Sequence, residues 1–361
     1  MSEVPDKISI YDVVAIERLR SELKLEPRRL RALRTALFKK FHGVEAALAE
    51  LPADVRTEFA RSVEFHPLTV EQVLDSQQDG ATKLVLRTRA GFLIEAVLMR
   101  TGTGRVSLCI SSQVGCAAAC GFCATGQMGI AKNLSMTEIL DQIVLTGEYL
   151  AQEGRRVRNV VFMGMGEPFH NEEALYEALA ALMAPEMFHQ TPRHILISTV
   201  GIPDAMIRCA RRFSSVNMAL SLHSVRQEVR EQLIPLAAKY SLEELRAAVT
   251  RVNQIQQSSV MIEYLMLAGV NDSAEDAGEL AAWLTGLDVH VNLIPYNPIA
   301  TAPELRTTER PERDAFAAIL RSAGFTTTIR YSLGADIAAA CGQLVQSENR
   351  TIARQQATIL I

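Results

Sequence analysis

One run constrains this chain more than any other: Ser111-Ser112-Gln113-Val114-Gly115-Cys116-Ala117-Ala118-Ala119-Cys120-Gly121-Phe122-Cys123-Ala124-Thr125-Gly126. Three cysteines at a C-x3-C-x2-C spacing, set among alanines and glycines, can wrap one face of a 4Fe-4S cube and leave the fourth iron without a protein ligand. An open iron is a place for chemistry. Two other uses of the spacing stay open here: a zinc site, which needs a fourth ligand to close its tetrahedron, and a disulfide loop. No histidine lies within ten residues of the three, Cys109 stands just upstream, and Cys209 and Cys341 are far along the chain.

At 361 residues the chain has room for one large domain with an appendage, or for two domains. Hydrophobic residues at 48% and charged residues at 22% describe an ordinary globular protein. No run of eighteen apolar residues exists, and residues 1–6 are polar and acidic with no apolar stretch behind them. The expectation is therefore no membrane span, no secretory leader and a cytoplasmic address. In such a reducing compartment six cysteines, three of them clustered, favour metal binding or redox catalysis over cross-linking.

Formal net charge is −4, which by itself argues against nonspecific nucleic-acid binding. The distribution is uneven: residues 17–40 hold nine basic and three acidic residues, +6 locally, leaving −10 for the remainder. Two readings fit this segment, an RNA-docking appendage on an acidic body or a solvated helix face.

From Ile8 to Val73 apolar residues recur at helical spacing, with Pro27, Gly43 and Pro52 as breakers between the runs. This predicts a small helical accessory domain over 1–75, with possible RNA contact. Alternation between Leu84 and Met99 predicts a hairpin turned at Ala90-Gly91, in an extension over 76–105. A strand-then-helix rhythm follows over 106–334, with strand candidates at 106–110, 157–163, 194–198, 216–222, 260–267, 289–294 and 326–330. Short apolar strands alternating with helices call for an α/β fold with a parallel sheet, and the count suits a six-stranded partial (β/α)6 barrel better than a closed eight. Polar or special residues sit just past nearly every strand, so they should converge on the carboxyl-end mouth of that barrel. A tail over 335–361 contains Ala339-Ala340-Cys341-Gly342-Gln343-Leu344.

The cysteine triplet resembles the cluster motif of the radical S-adenosylmethionine (SAM) superfamily. More narrowly, CISSQVGCAAACGFCATG (109–126), FMGMGEP (162–168), ISTVG (197–201), SLH (221–223), YLMLAGVNDS (264–273), HVNLIPYNP (290–298) and DIAAACGQL (336–344) resemble the RlmN/Cfr family of RNA adenine methyltransferases. The resemblance implies that Cys116, Cys120 and Cys123 hold one 4Fe-4S cluster per chain, whose open iron chelates SAM. It implies SAM contacts at Gly166, Glu167, Ser198, Ser221, Leu222, His223 and Asn297, a methyl-carrying Cys341 with Cys109 as its disulfide partner, and a proton acceptor at Glu95.

An aromatic amidine carbon has no electron pair to take a methyl from the SAM sulfonium, so a radical route is needed. The cofactors supply the hard chemistry, and the protein positions and excludes water. In this reading one SAM methylates the Cys341 thiolate, and a 5′-deoxyadenosyl radical from a second SAM takes hydrogen from the S-methyl group. The resulting methylene radical adds to adenine. Loss of the ring proton, with Cys109 closing a disulfide onto Cys341, frees the base and returns an electron. Cys209, on an expected helix, reads as a small core residue.

The function expected is methylation of an adenosine of 23S ribosomal RNA at carbon 2, with transfer RNA as a possible second substrate. A flavodoxin- or ferredoxin-like electron donor and a monomeric state go with it, and two SAM are consumed per methyl. GMGEP favours carbon 2, while CATG and the APE at 302–304 favour the carbon-8 branch. A different radical SAM enzyme, such as a glycyl-radical activator, or a zinc-bearing RNA-binding protein are the readings from other classes.

Overall fold

The computed structural model describes residues 7–359; the 1–6 segment, on which the absence of a leader was read, lies outside them, as do residues 360 and 361. Among the described residues no helix is long and apolar enough to cross a membrane.

The chain opens with a helical unit. β1 (Ile8–Ser9) pairs in parallel with β2 (Val63–Glu64), and between them lie α1 (Val13–Glu22), α2 (Pro27–Phe38), α3 (Gly43–Ala49) and α4 (Ala53–Ser62). The breakers act as expected: Pro27 starts α2, where its missing N–H is not needed, and Pro52 caps α4. Buried Leu30, Leu33, Leu37 and Phe38 give α2 its inward stripe.

β3 (Leu68–Asp75), β4 (Ala81–Thr88) and β5 (Leu93–Arg100) form an antiparallel meander that joins the main sheet through β6 (Val106–Cys109). The expected hairpin is β4 and β5, and β3 extends it by one strand. After β6, the cysteine loop is framed by a short antiparallel pair, β7 (Gln113–Gly115) and β8 (Ala131–Asn133). The alternation then runs α5 (Met136–Ala151), β9 (Asn159–Phe162), α6 (Glu172–Met183), β10 (Ile195–Thr199), α7 (Pro203–Arg212), β11 (Asn217–Ser221), α8 (Gln227–Leu233), α9 (Leu242–Gln256), β12 (Val260–Met266), α10 (Ala274–Leu284), β13 (Val289–Pro295), α11 (Arg310–Ser322), β14 (Thr326–Ile329) and α12 (Glu348–Ile359).

All ten strands from β3 to β6 and β9 to β14 form one sheet, in the order β14-β13-β12-β11-β10-β9-β6-β5-β4-β3. β6 and β9 to β14 are parallel, seven strands where the barrel count suggested six; the extra one is β14, from which the tail departs. Strands such as β9, with Val160, Val161 and Phe162 all buried, are apolar on both faces because helices cover one side and the barrel interior fills the other. Capping boxes at Ser135 with Glu138, Ser241 with Glu244 and Ser273 with Asp276 start α5, α9 and α10 crisply, so each preceding loop has a fixed exit.

The tail folds back over the meander and the cysteine loop. Asp336 accepts from Ser76 Oγ at 2.8 Å and Gln77 N at 2.9 Å. Asn349, fully buried, mimics a strand: its side chain accepts from Leu93 N and donates to Leu93 O, each at 2.7 Å. Arg350 Nε donates to Met128 O at 2.6 Å, beside the cysteine loop.

Candidate active site

The carboxyl ends of the parallel strands open onto one cavity, and the sequence motifs meet there. The loop after β6 brings Cys116, Cys120 and Cys123, the turn after β9 brings Gly166 and Glu167, and β10 and β11 bring Ser198, Ser221 and, just beyond, His223. Gly166 lets that turn close: it has φ +107°, and a Cβ there would fall 2.6 Å from Gln113 Cβ. No L side chain fits without displacing the strand behind it.

Glu167 is buried, with its carboxylate accepting from Phe169 N at 3.0 Å and Val200 N at 2.8 Å. Burial outweighs these donors and pushes its pKa up to about 7. Such a carboxylate gains from a cationic partner, an ammonium for example. Ser198 Oγ and Ser221 Oγ are 3.3 Å apart. His223 Nδ1 accepts from Leu265 N at 3.0 Å; burial, then the charge of Arg230, push its pKa down to about 3, so the ring is neutral. Burial likewise raises the cysteine thiols, Cys116 to about 12 and Cys120 and Cys123 upward, against backbone donors around Cys116 and Cys123 and the Arg230 charge near Cys120.

Cys341 lines this same cavity. The tail is stitched to the cysteine loop itself: Ala124 N donates to Gly342 O at 2.7 Å, and Thr125 Oγ1 donates to Leu344 O at 2.5 Å. On its other side Cys341 lines a second, small cavity of about 30 Å³ together with Cys109, Met163 and Arg330. Cys341 thus stands between the thiol triplet and Cys109. All six cysteines are free thiols, so the disulfide expected of the catalytic cycle is not present in this state. Burial, then Cys341, push Cys109 up to about 12, with Arg330 opposing. Burial works against the Arg330 charge too, but Cys341, Glu263 and Cys109 outweigh it and the guanidinium stays a cation.

Three expected residues lie off the cavity. Leu222 is buried and acts through its backbone, its N–H donating to Glu263 O at 3.0 Å. Asn297 Nδ2 donates to Cys341 O and Ser332 Oγ, both at 3.0 Å, so its amide holds the tail. Glu95 is fully buried on β5 and ion-paired to Lys83 at 2.9 Å, with Gln346 donating to the same oxygen at 2.8 Å. Burial raises its pKa, and Lys83 and Gln346 partly offset this. Two residues along from Glu95, Val97 lines the small cavity of Cys109 and Cys341.

The constellation has counterparts among known proteins. The radical SAM superfamily matches residues 110–281. A probable RNA methyltransferase of Rhodopirellula baltica is 51% identical over 355 residues, 98% of this chain and 92% of that one. A probable dual-specificity RNA methyltransferase, RlmN 2 of Protochlamydia amoebophila, is 40% identical over 304 residues, 83% of this chain and 84% of that one. The chain belongs to the RlmN-type radical SAM RNA methyltransferases. Its fold agrees: a radical SAM methyltransferase from Sphaerobacter thermophilus superposes with a TM-score of 0.86 at 36% identity, covering 93% of this chain and 99% of that one.

Radical SAM enzymes work with a 4Fe-4S cluster and SAM, and the donor set suits the cluster. Among the described residues no three His, Cys, Asp or Glu side chains converge tightly enough for a single metal ion. Three thiols lining one cavity are a donor set that a 4Fe-4S cube with one open iron can use. Thiols raised by burial become thiolates only when a cation compensates them, as metal does on binding.

Sequence reasoning missed Arg230, Arg330, Lys83 and Gln346. Arg230 is fully buried: Nε donates to Leu222 O at 3.1 Å, Nη2 donates to Val200 O, and Nη1 has no partner. It ties together the ends of β10 and β11 beside the cavity. A signal existed, since Arg230 sits three and four residues before buried Leu233 and Ile234 and so on their helix face. Arg330 had a weaker one, its place just past the last strand. Lys83 and Gln346 had none, because only the folded tail brings them to Glu95.

Proposed function

We propose that this RlmN-type enzyme methylates an adenosine of 23S ribosomal RNA at carbon 2, through a methyl group carried on Cys341. The observation that carries the reading is that Cys341 faces two spaces at once, the cavity of Cys116, Cys120 and Cys123 and the cavity of Cys109. A carrier needs both neighbours, one to be loaded and activated, the other to be discharged.

The residues then divide the work. One cluster per chain, held by Cys116, Cys120 and Cys123, would supply the electron that cleaves SAM to methionine and a 5′-deoxyadenosyl radical. Glu167, next to Gly166, receives the methionine ammonium; Ser198, Ser221 and His223 hydrogen-bond to SAM, with Leu222 supporting from its backbone. Cys341 takes a methyl from a first SAM by displacement at its sulfur, leaving S-adenosylhomocysteine. Asn297 fixes the Cys341 carbonyl and hence the reach of the sulfur. Hydrogen-atom loss from the S-methyl to the radical of a second SAM gives 5′-deoxyadenosine and a methylene that bonds adenine. Glu95 accepts the ring proton and one electron would return to the cluster; Cys109 attacks Cys341 Sγ to form the disulfide, the carbon–sulfur electron pair passes to the methylene carbon, and that carbon takes up the proton given up by the Cys109 thiol to become the methyl group. A reductant then restores both thiols, and each methyl placed consumes two SAM.

Relatives named dual-specificity RNA methyltransferases support more than one RNA target, and the second one proposed is transfer RNA. A flavodoxin- or ferredoxin-like donor and a cytoplasmic monomer complete the proposal. So does the division into a helical accessory unit over 1–75, the hairpin extension over 76–105, the core over 106–334 and the carrier tail over 335–361.

The test is mass spectrometry of nucleosides after ribosomal or transfer RNA is incubated with iron-loaded protein, SAM and reductant. A 2-methyladenosine supports the reading. An 8-methyladenosine moves the enzyme to the other branch, and unmodified RNA under conditions that cleave SAM overturns it.

A further inference from the structure

A cavity larger than the mouth lies elsewhere among the described residues. It has a volume of about 1120 Å³ and lies at the amino ends of β6, β9 and β10, where Val106, Val157 and His194 mark its wall. Because these strands are parallel, that places it at the opposite end of the barrel from the thiols. Strands of four and five residues separate the two ends by roughly 15 Å.

Four chain segments meet there: the link between α2 and α3, the loops leading into β6 and β9, and the approach to β10. They bring six cations, Lys39, Lys40, Arg105, Arg155, Arg156 and Arg158, and no Asp or Glu lines the cavity. None of the six takes part in an ion pair among the described residues. Lys39 donates to Pro185 O at 2.7 Å, Arg105 to Thr103 Oγ1 at 3.2 Å and Arg155 to Gly104 O at 3.3 Å, all neutral acceptors that leave the charge uncompensated. Lys40, Arg156 and Arg158 are exposed, and the latter two alternate with half-buried Arg155 and Val157, so both point outward from one extended stretch.

This cluster differs from the basic run over 17–40 that the sequence suggested. In that run Arg20 and Arg28 are paired with Glu17 and Glu26, and Arg34 is buried. Only Lys39 and Lys40 of it reach the cavity. Six unpaired cations facing one open space, in a chain of net charge −4, create a local field that an extended polyanion satisfies. Small-molecule pockets are lined mainly by apolar side chains, and this one is not.

We propose that this basal cavity binds the phosphate backbone of the substrate RNA, at a segment distinct from the one that presents the adenosine to the mouth. The inference rests on the RNA methyltransferase reading and adds a second point of grip. Phosphate contacts of this kind position the RNA without reading its sequence.

The experiment compares the full-length iron-loaded enzyme with a triple variant, Lys40→Glu/Arg156→Glu/Arg158→Glu, and with the charge-keeping Arg156→Lys/Arg158→Lys. Filter binding to transcribed 23S ribosomal RNA is measured against salt concentration. The triple variant should bind about 10- to 100-fold more weakly, and its slope of log affinity on log salt should be smaller by about three. The lysine variant should match wild type, while iron content, melting temperature and SAM cleavage without RNA stay unchanged in both. Unchanged affinity and slope in the triple variant overturn the proposal. So does unchanged RNA binding with turnover lost only when an acidic protein supplies electrons and regained with dithionite, which assigns the face to the donor. Failure of the wild type itself to methylate RNA counts against the function rather than against this surface.

Discussion

The two ends of the parallel strands are made of opposite materials. At the carboxyl ends the ionisable groups are buried, and burial is the largest influence on Glu167, His223 and the cysteine thiols. At the amino ends the cations are mostly exposed, and no carboxylate stands among them. The contrast follows from what each end has to do. Thiol and radical chemistry gains from excluded water and from fixed dipoles in a low dielectric. Holding a polyanion gains from a field that reaches into solvent. An enzyme built this way can alter how tightly it grips RNA without altering the reaction, and the converse.

That separation is broken if a residue of the mouth changes only RNA affinity. Cys341→Ala should lower methyl transfer by about 10⁴-fold or more, the scale of losing a covalent nucleophile, with RNA affinity within about twofold of wild type. Nucleoside mass spectrometry and filter binding read the two quantities in one preparation. Cys109→Ala should still load and transfer the methylene but fail to release it, leaving a covalent protein–RNA species on a denaturing gel. Free methylated RNA at the normal rate from that variant would remove Cys109 from the cycle.

Level with the carboxyl ends lies the pair Lys83 and Glu95, which sharpens the comparison because it is buried yet ionic. Lys83→Met leaves the Glu95 carboxylate without its cation and should cost about 3–5 kcal/mol in urea unfolding. Lys83→Met with Glu95→Met removes the stranded charge and should restore most of that stability. Glu95→Gln keeps an oxygen for Lys83 and Gln346, and with it the docking of the tail through Gln346 and, from Lys83 Nζ, the Ala338 carbonyl at 3.2 Å; turnover lost in that variant assigns Glu95 to the reaction, and turnover kept assigns the pair to docking.

Most of the barrel was legible in the sequence because its strands are short apolar runs covered on both faces, and nothing competes with that pattern. That Cys116, Cys120, Cys123, Gly166 and Glu167 would meet at one mouth was legible because they stand just past the ends of strands, and they line one cavity. Asn297 was expected at SAM; what could not be read was its bond to the Cys341 carbonyl, a partner 44 residues on that only the fold supplies. The basal cations were half visible: the run over 17–40 was noted, but ion pairs neutralise part of it, and Arg105, Arg155, Arg156 and Arg158 join Lys39 and Lys40 only when four separate segments meet. Spacing along a chain reveals groups that share one element; it does not reveal groups gathered from several.

The smallest expected effect lies at neither end, in the seam between the helical unit and α5. Asp141, fully buried on α5, accepts from the Tyr11 hydroxyl at 2.7 Å and Leu68 N at 3.0 Å, and His66 Nδ1 lies 2.8 Å from it. Glu148 is 3.8 Å from His66 Nε2. Burial alone would lower the His66 pKa, but the hydrogen bond and charge of Asp141 and the charge of Glu148 outweigh it and leave it above 6.5. A histidine whose folded pKa exceeds its unfolded one adds stability that is complete below the unfolded value and is lost as pH rises through the folded value. His66→Gln keeps a donor for Asp141 and drops the charge, so it should remove this pH dependence. In urea unfolding the wild type should exceed the variant by about 1 kcal/mol near pH 6, with the gap closing as pH rises through the folded value. Tyr11, whose own pKa burial and Asp141 raise, stays neutral across that range and does not imitate the signal. Turnover and RNA affinity should not follow the His66 titration. If either does, the helical unit is coupled to one end of the barrel, and the two ends are less independent than their chemistry suggests.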